Sequence, residues 1–341
     1  MGRRNKHYSK DLHQQAYEKL TSMLSFGESK SLAKRQGRDF DGVYSIETYK
    51  TYWKHIKLYI KWININHPEC TTLKSSRKYV NEWLGLGVEQ KLSPCTIQTK
   101  AKALGKLYNI RPDDPNYFHP PKRERKNIKR SRVSVVRDKH FSVTNNDEFI
   151  KFCKSIGARR TAIGKLKAED LWSKEEMLEE KRCAEKIENY VIESKDKNIF
   201  NNIIDALNAF PDQDYFVHFI SDKGGRSRFA PIIGENKNQV IERMRKTKPG
   251  KKVWEHVPSN ADIHSYRADY ATAVYKMYAK DTKDISYNET IVVNGKKKKR
   301  LYICRKDDIG KKLDRAAMLK CSKALGHNRE SVVAEHYLRA L

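Results

Sequence analysis

From Ser45 onward, Tyr49, Tyr52, Trp53, Ile56, Tyr59, Ile60 and Ile63 recur at steps of three and four residues. That is the period of a helix with one buried face, and it predicts about five turns. A shorter helix is expected around Ser76 to Leu84. A third begins at Ser93-Pro94, where serine caps and proline takes the first helical position, and it buries Ile97, Ala101, Leu104 and Leu107. Residues 45–110 therefore read as a small all-helical domain. Its third helix also carries Lys100, Lys102 and Lys106 on its other faces, where lysines meet either phosphates or water. Residues 1–44 are polar and basic, with one helix expected near Asp11 to Leu24; a DNA-contacting arm and a loosely ordered tail both fit.

Prolines break the pattern after residue 110. Arg111-Pro112-Asp113-Asp114-Pro115 and His119-Pro120-Pro121 lead into a run from Lys122 to Lys139 with nine basic residues against two acidic. Such a stretch, with Lys122, Arg123, Arg125, Lys126, Lys129 and Arg130, reads as an extended basic tether over 111–139, or as a flexible linker. The apolar period resumes in residues 140–341. Phe149, Ile150, Phe152, Cys153 and Ile156 stripe a helix that starts near Asn145 and ends at Gly157, and Arg159 opens the next helix. Residues 174–210 read as helical, with Ile187, Tyr190, Val191, Phe200, Ile203, Ile204 and Leu207 on apolar faces. Tyr215 to Ile220 and Arg228 to Ile233 read as two paired strands about a turn holding Asp222, Lys223, Gly224, Gly225 and Arg226. Asp262-Ile263-His264 leads into a helix with Arg267, Tyr270, Val274 and Met277. A second hairpin is expected from Thr290–Val293 across a tip at Lys296–Lys299 to Arg300–Cys304, and a last strong helix over Leu313 to Ala324.

Charge narrows the partner. The 341 residues hold 70 Lys plus Arg against 42 Asp plus Glu, a formal charge of +28. An excess this large, spread along the chain, points to a polyanion, with Arg226 and Arg228 beside the first hairpin as further phosphate contacts. Length implies two or three domains. The six cysteines show no metal-ligand spacing and read as reduced thiols, and no apolar run reaches a membrane span. No metal or other cofactor is expected, and the chain reads as a soluble intracellular protein.

Several scattered residues share one chemistry. A tyrosine becomes a nucleophile only where cations and a proton acceptor favour phenolate. Arginines can grip the non-bridging oxygens of a phosphate and stabilise the charge of a pentavalent transition state. A lysine can protonate the leaving oxygen, and histidines move protons near neutral pH. Arg159, Lys223, His264, Arg267, His327 and Tyr337 supply that set.

In order and local context, those residues resemble the tyrosine recombinases, the phage-type integrases. Arg159 in Ile156-Gly157-Ala158-Arg159 is similar to the first catalytic arginine, and Lys223 to the β-hairpin lysine. His264 and Arg267 match the His-x-x-Arg box, His327 the Leu-Gly-His box, and Tyr337 the nucleophile. The resemblance implies an all-α, SAM-like core-binding domain over 45–110 and a mainly α catalytic domain with small β-hairpins. It implies cleavage and rejoining of DNA through a 3′-phosphotyrosyl intermediate and a Holliday junction, without metal or ATP, for a mobile element that is integrated or excised. The implied partners are duplex recombination sites, a tetramer of the chain on DNA, and accessory DNA-bending or directionality proteins. The implied setting is a prokaryotic nucleoid in the cytoplasm. Two other readings stand beside it: a catalytically inactive DNA-binding accessory protein on the same fold, and a type IB topoisomerase-like enzyme.

The chain departs from the family pattern in ways that set questions for the structure. Ala162 occupies the place, three after Arg159, where the family often has an acid, so another group must hold that arginine. Arg160 competes with Arg159 for the assignment. Arg159 lies further from Lys223 than usual, and a hairpin is inserted between Arg267 and His327. Tyr337 stands one residue further from His327 than is common, and four residues follow it. Many family members carry a further C-terminal helix that docks into the neighbouring protomer, so the chain either stops early, was cut, or assembles through other surfaces, of which the tip at Asn294–Lys299 is one candidate.

Overall fold

The computed structural model describes residues 10–122, 141–187, 190–192, 194–220, 222, 225–305, 308–327, 329–338 and 341. The chain is mostly helical with small antiparallel sheets, and it divides into two compact units, 1–128 and 129–341.

The first unit is built from α1 (Leu12–Thr21), α2 (Lys30–Arg35), α3 (Ile46–Asn66), α4 (Leu73–Ser76), α5 (Val80–Glu89) and α6 (Pro94–Tyr108). Ser45 caps α3, and Ser93 with Pro94 starts α6. Ile56, Tyr59, Ile60 and Ile63 of α3 meet Leu104 and Leu107 of α6 in one core. Leu12, Ala16 and Leu20 of α1 belong to that same core, so residues 10–44 are part of the helical unit and not a separate arm or tail. Residues 111–118 also depart from an extended tether: Arg111 pairs with Asp41 at 3.2 Å, and Tyr117 and Phe118 pack on the core.

Lys106 corrects a further expectation. It is 7% exposed, and its Nζ donates to the carbonyls of Phe40 and, at 2.9 Å, Gly42. Burial pushes its pKa down to about 8. A lysine spent on backbone carbonyls is not a phosphate contact. Lys102 and Lys122 are exposed, and Lys100 lies 4.3 Å over the Trp83 ring. Arg123, Arg125, Lys126, Lys129 and Arg130 lie outside the described residues.

The second unit holds α7 (Asp147–Ile156), α8 (Arg160–Ile163), β1 (Leu171–Ser173), α9 (Lys174–Lys186), α10 (Ile199–Ala209), β2 (Tyr215–Phe219), β3 (Arg228–Pro231), α11 (Lys237–Lys246), α12 (Ile263–Tyr278), β4 (Thr290–Val293), β5 (Lys296–Lys299), β6 (Leu301–Ile303), β7 (Lys312–Asp314), α13 (Arg315–Ala324) and α14 (Ser331–His336). β1, β2 and β3 form one antiparallel sheet in that order, so the expected hairpin carries a third strand. Helix α12 runs between two apolar clusters. Ile263 and Tyr266 enter the one built on α7, α8 and α11, and Tyr270, Ala271 and Val274 the one built on α10, α13 and α14.

Two expectations change here. The helix expected across 174–210 stops at Lys186 and restarts at Ile199; Tyr190, outside it, donates to Glu180 at 2.9 Å, while Val191 is exposed. Lys296–Lys299 is a strand and not a tip. Asn294 and Gly295 both take positive φ, 51° and 74°, the geometry of a two-residue hairpin turn, so pairing begins at once with Val293 opposite Lys296. Leu301–Ile303 pairs instead with Lys312–Asp314.

Replacing Lys106 with methionine leaves the Phe40 and Gly42 carbonyls without their donor. The expected loss is about 1–3 kcal/mol, read by urea unfolding followed through tryptophan fluorescence. Exposed Lys102→Met is expected to leave the midpoint unchanged.

Candidate active site

The site starts from two glycines at the ends of helices. Gly157 ends α7 with φ 59°, where a Cβ would lie 2.1 Å from the Tyr270 ring, so only glycine lets α12 pack this closely. That contact brings the Gly157 carbonyl to Arg267 on α12. Gly326 follows α13 with φ 67°, and a Cβ there would lie 2.7 Å from the Arg228 side chain. The turn is closed by His327 N donating to the Ser322 carbonyl at 2.8 Å and by Ser322 Oγ donating to the His327 carbonyl at 2.9 Å.

Arg267 is 1% exposed and is among the largest fully buried side chains. Its guanidinium donates to three acceptors: the Gly157 carbonyl, the Leu325 carbonyl, and Tyr337 Oη at 3.2 Å from Nε. The phenol is 7% exposed and lies 3.2 Å from His327 Nε2 on its other side. Arg228 grips the preceding carbonyl, that of Ala324, at 2.5 Å. Two buried arginines thus hold consecutive carbonyls of the turn that positions His327.

A second chain of contacts joins the first through Arg228. Asp222, whose side chain is 2% exposed, accepts from Arg159 and, at 3.4 Å, from Arg228. Asp222 therefore does for Arg159 what an acid at position 162 would do. Arg160 is occupied elsewhere, donating to the Pro258 carbonyl and, at 2.6 Å, to the Ala261 carbonyl, and so anchors the loop before α12. Arg159, with about a fifth of its side chain exposed, is the arginine of the cluster most open to an incoming anion.

The electrostatics follow from three cations around one imidazole. Burial first, and then Arg267, Arg159 and Arg228, push the His327 pKa down to about 3. The ring is neutral near pH 7, and with its proton on Nδ1 its Nε2 accepts from the phenol. Burial, then Arg267, lowers Arg228 to about 9, which leaves it cationic at neutral pH, and burial lowers Arg267. The arrangement puts a phenol against a neutral proton acceptor and a fixed cation, which is how a hydroxyl is made ready to attack.

The segment that carries Tyr337 is held from a third side. Glu330, at the start of α14, is 6% exposed and accepts from Lys298 of β5 at 2.9 Å and from Arg315 of α13 at 2.7 Å. Its pKa is lowered: burial raises it, and the bonds from Lys298, the backbone and Arg315 outweigh that. The inserted hairpin is thereby tied to the segment that carries Tyr337.

Of the six residues read as catalytic, Arg159, Arg267, His327 and Tyr337 meet in this cluster. His264 is exposed on the first turn of α12, one turn before Arg267. Lys223 lies outside the described residues. Arg226 is exposed, whereas Arg228, expected to face DNA, is buried and paired, so it corrects from a surface contact to a part of the cluster. Asp222, Glu330 and the Gly157 and Leu325 carbonyls were not anticipated. Ala162 carried the only signal for Asp222, because it left Arg159 without an acid.

No family model matches the chain, and no curated protein matches it. Among solved structures, a crystal structure of XerA recombinase is similar at 13% identity, over 94% of this chain and 93% of that one, with a TM-score of 0.25. That superposition is too loose to carry a conclusion, and the reading of the site rests on its own residues. Among the described residues no group of three or more His, Cys, Asp or Glu side chains could hold a metal ion, and no helix is long and apolar enough to cross a membrane.

Two outcomes are expected. The His327 ring should stay neutral from pH 8 to pH 5 in a proton NMR titration. Because its folded pKa lies below the ordinary 6.5, the unfolded chain takes up the proton first. Its contribution to stability is therefore full above pH 6.5 and is lost as pH falls from there toward 3. Asp222→Asn leaves two buried or half-buried arginines without their anion and should lower stability by about 3 kcal/mol, measured by thermal or urea unfolding.

Proposed function

We propose that the chain is a DNA strand-transfer enzyme of the tyrosine recombinase kind, with Tyr337 as nucleophile. The observation that carries this reading is the phenol placed 3.2 Å from Arg267 Nε and 3.2 Å from His327 Nε2. Tyr337 Oη attacks the phosphorus of a DNA backbone phosphate and its proton passes to His327 Nε2, which becomes basic enough to take it once the bound phosphate anion offsets the three arginines that hold the ring neutral in the free chain. The bond from phosphorus to the 5′ oxygen breaks, leaving a 3′-phosphotyrosyl link and a 5′ hydroxyl. Arg159 binds a non-bridging oxygen, Arg267 and Arg228 supply fixed positive charge around the reacting centre, and Lys223 is the proposed donor to the leaving oxygen. The phosphotyrosyl bond keeps much of the energy of the bond it replaces, so a second 5′ hydroxyl reverses the step without ATP.

The partner in this reading is duplex DNA, which suits a formal charge of +28. Recombination, integration or excision of a mobile element, and a tetramer on two sites are extensions of the same proposal. A type IB topoisomerase-like enzyme would share the covalent step.

Tyr337→Phe removes the nucleophilic hydroxyl and little else. It should bind duplex DNA as the wild type does and form no covalent adduct on nicked duplexes of a randomised-sequence pool, read on denaturing gels. Adduct formation by this variant would place the nucleophile elsewhere. Affinity for duplex should also fall steeply between 50 and 200 mM salt, by roughly 10³-fold or more for six or more phosphate contacts. A flat response in a filter-binding series would contradict a DNA partner.

A further inference from the structure

One cavity of the second unit lies outside the cluster around Tyr337. It has a volume of about 660 Å³, within the range of sites that take small ligands. Its walls are apolar at Leu166 and Phe219, and Trp172 of β1 offers an aromatic surface that is half-exposed. Ala162 of α8, three residues from Arg159, also lines it.

Two features make this more than a gap between elements. Asp170 lines the cavity at 7% exposure, and among the described residues no cation pairs with it directly; Lys167, turned to Glu169, attracts it only from beyond ion-pair distance. One oxygen, Oδ2, accepts from the Lys167 N–H at 2.8 Å, which is all the turn requires; no partner is described for the other. A buried carboxyl without a counter-ion is costly unless something else engages it. At the rim, Lys167 pairs with Glu169 at 3.4 Å, whereas Lys165 and Lys195 are exposed and have no ion-pair partner among the described residues.

An aromatic face, an acceptor for N–H groups and two unpaired cations together describe one ligand chemistry. We propose that this cleft binds a nucleotide, its base against Trp172, its N–H edge on Asp170 and its phosphate between Lys165 and Lys195. Guanine suits it best, because adjacent ring and amino N–H groups match a carboxylate as a pair. The ligand comes either from a DNA strand, as a nucleotide turned out of the stack, or from solution. This site does not depend on the chemistry of Tyr337.

The test is calorimetric titration of the full chain with deoxyguanosine monophosphate, deoxyguanosine and inorganic phosphate. Saturable 1:1 binding of the monophosphate is expected, tighter than either part alone. Asp170→Asn keeps an oxygen for the Lys167 N–H, and Lys165→Ser changes an exposed side chain; each should weaken binding at least ten-fold without lowering the melting temperature. Absence of saturable binding, or binding indifferent to both substitutions, overturns the proposal. Photocrosslinking with a duplex carrying iodinated bases separates the sources. A crosslink at Trp172 marks a nucleotide from the strand, and saturable monophosphate binding without that crosslink marks a free one.

Discussion

The second unit is arranged around one buried cation. A guanidinium at 1% exposure is costly unless its donors are satisfied, and Arg267 meets that demand with the Gly157 carbonyl, the Leu325 carbonyl and the Tyr337 hydroxyl. These acceptors come from the end of α7, the turn after α13 and the end of α14. A single charge thereby fixes how three segments, distant in sequence, meet at α12. The same bonds that satisfy the cation orient the phenol, so stability and the proposed chemistry share one set of contacts.

The rest of the cluster follows from that constraint. Gly157 and Gly326 have to be glycine because each combines positive φ with a close neighbour, the Tyr270 ring in one case and the Arg228 side chain in the other. Arg228 repeats the device of Arg267 one residue earlier, on the Ala324 carbonyl. Burial, and then three arginines within range, keep His327 neutral, and a neutral imidazole is the form that can accept the hydrogen bond of the Tyr337 hydroxyl. Asp222 offsets part of the positive charge and leaves Arg159 the exposed member.

How much of this could be read from the residues depended on how local the determinants were. Helices α3 and α6 were legible because apolar spacing and serine caps act over a few residues. The β2–β3 pairing was legible from two short, mainly apolar runs about a glycine turn. That Arg159, Arg267, His327 and Tyr337 would come together was legible from their local contexts. What escaped was set by distant partners. Lys106 looks like any surface lysine until the 40–42 carbonyls fold over it, and Arg228 looks like a phosphate contact until Asp222 and the Ala324 carbonyl are seen beside it. Leu12, Ala16 and Leu20 sit at helical spacing, yet their burial depends on a face of α3 that no local rule assigns to them. The β5 strand was misread because four consecutive lysines resemble a solvated tip, whereas the Asn294-Gly295 turn sets the register.

The proposed chemistry requires that the phenol held between Arg267 and His327 become bonded to phosphorus. The direct measurement is mass spectrometry of the wild-type chain incubated with nicked duplex DNA, then digested with nuclease and protease. The account predicts a nucleotide linked through phosphate to the peptide containing Tyr337, formed without added metal or ATP. A covalent nucleotide on any other residue, or strand cleavage with no protein-linked phosphate, would contradict it.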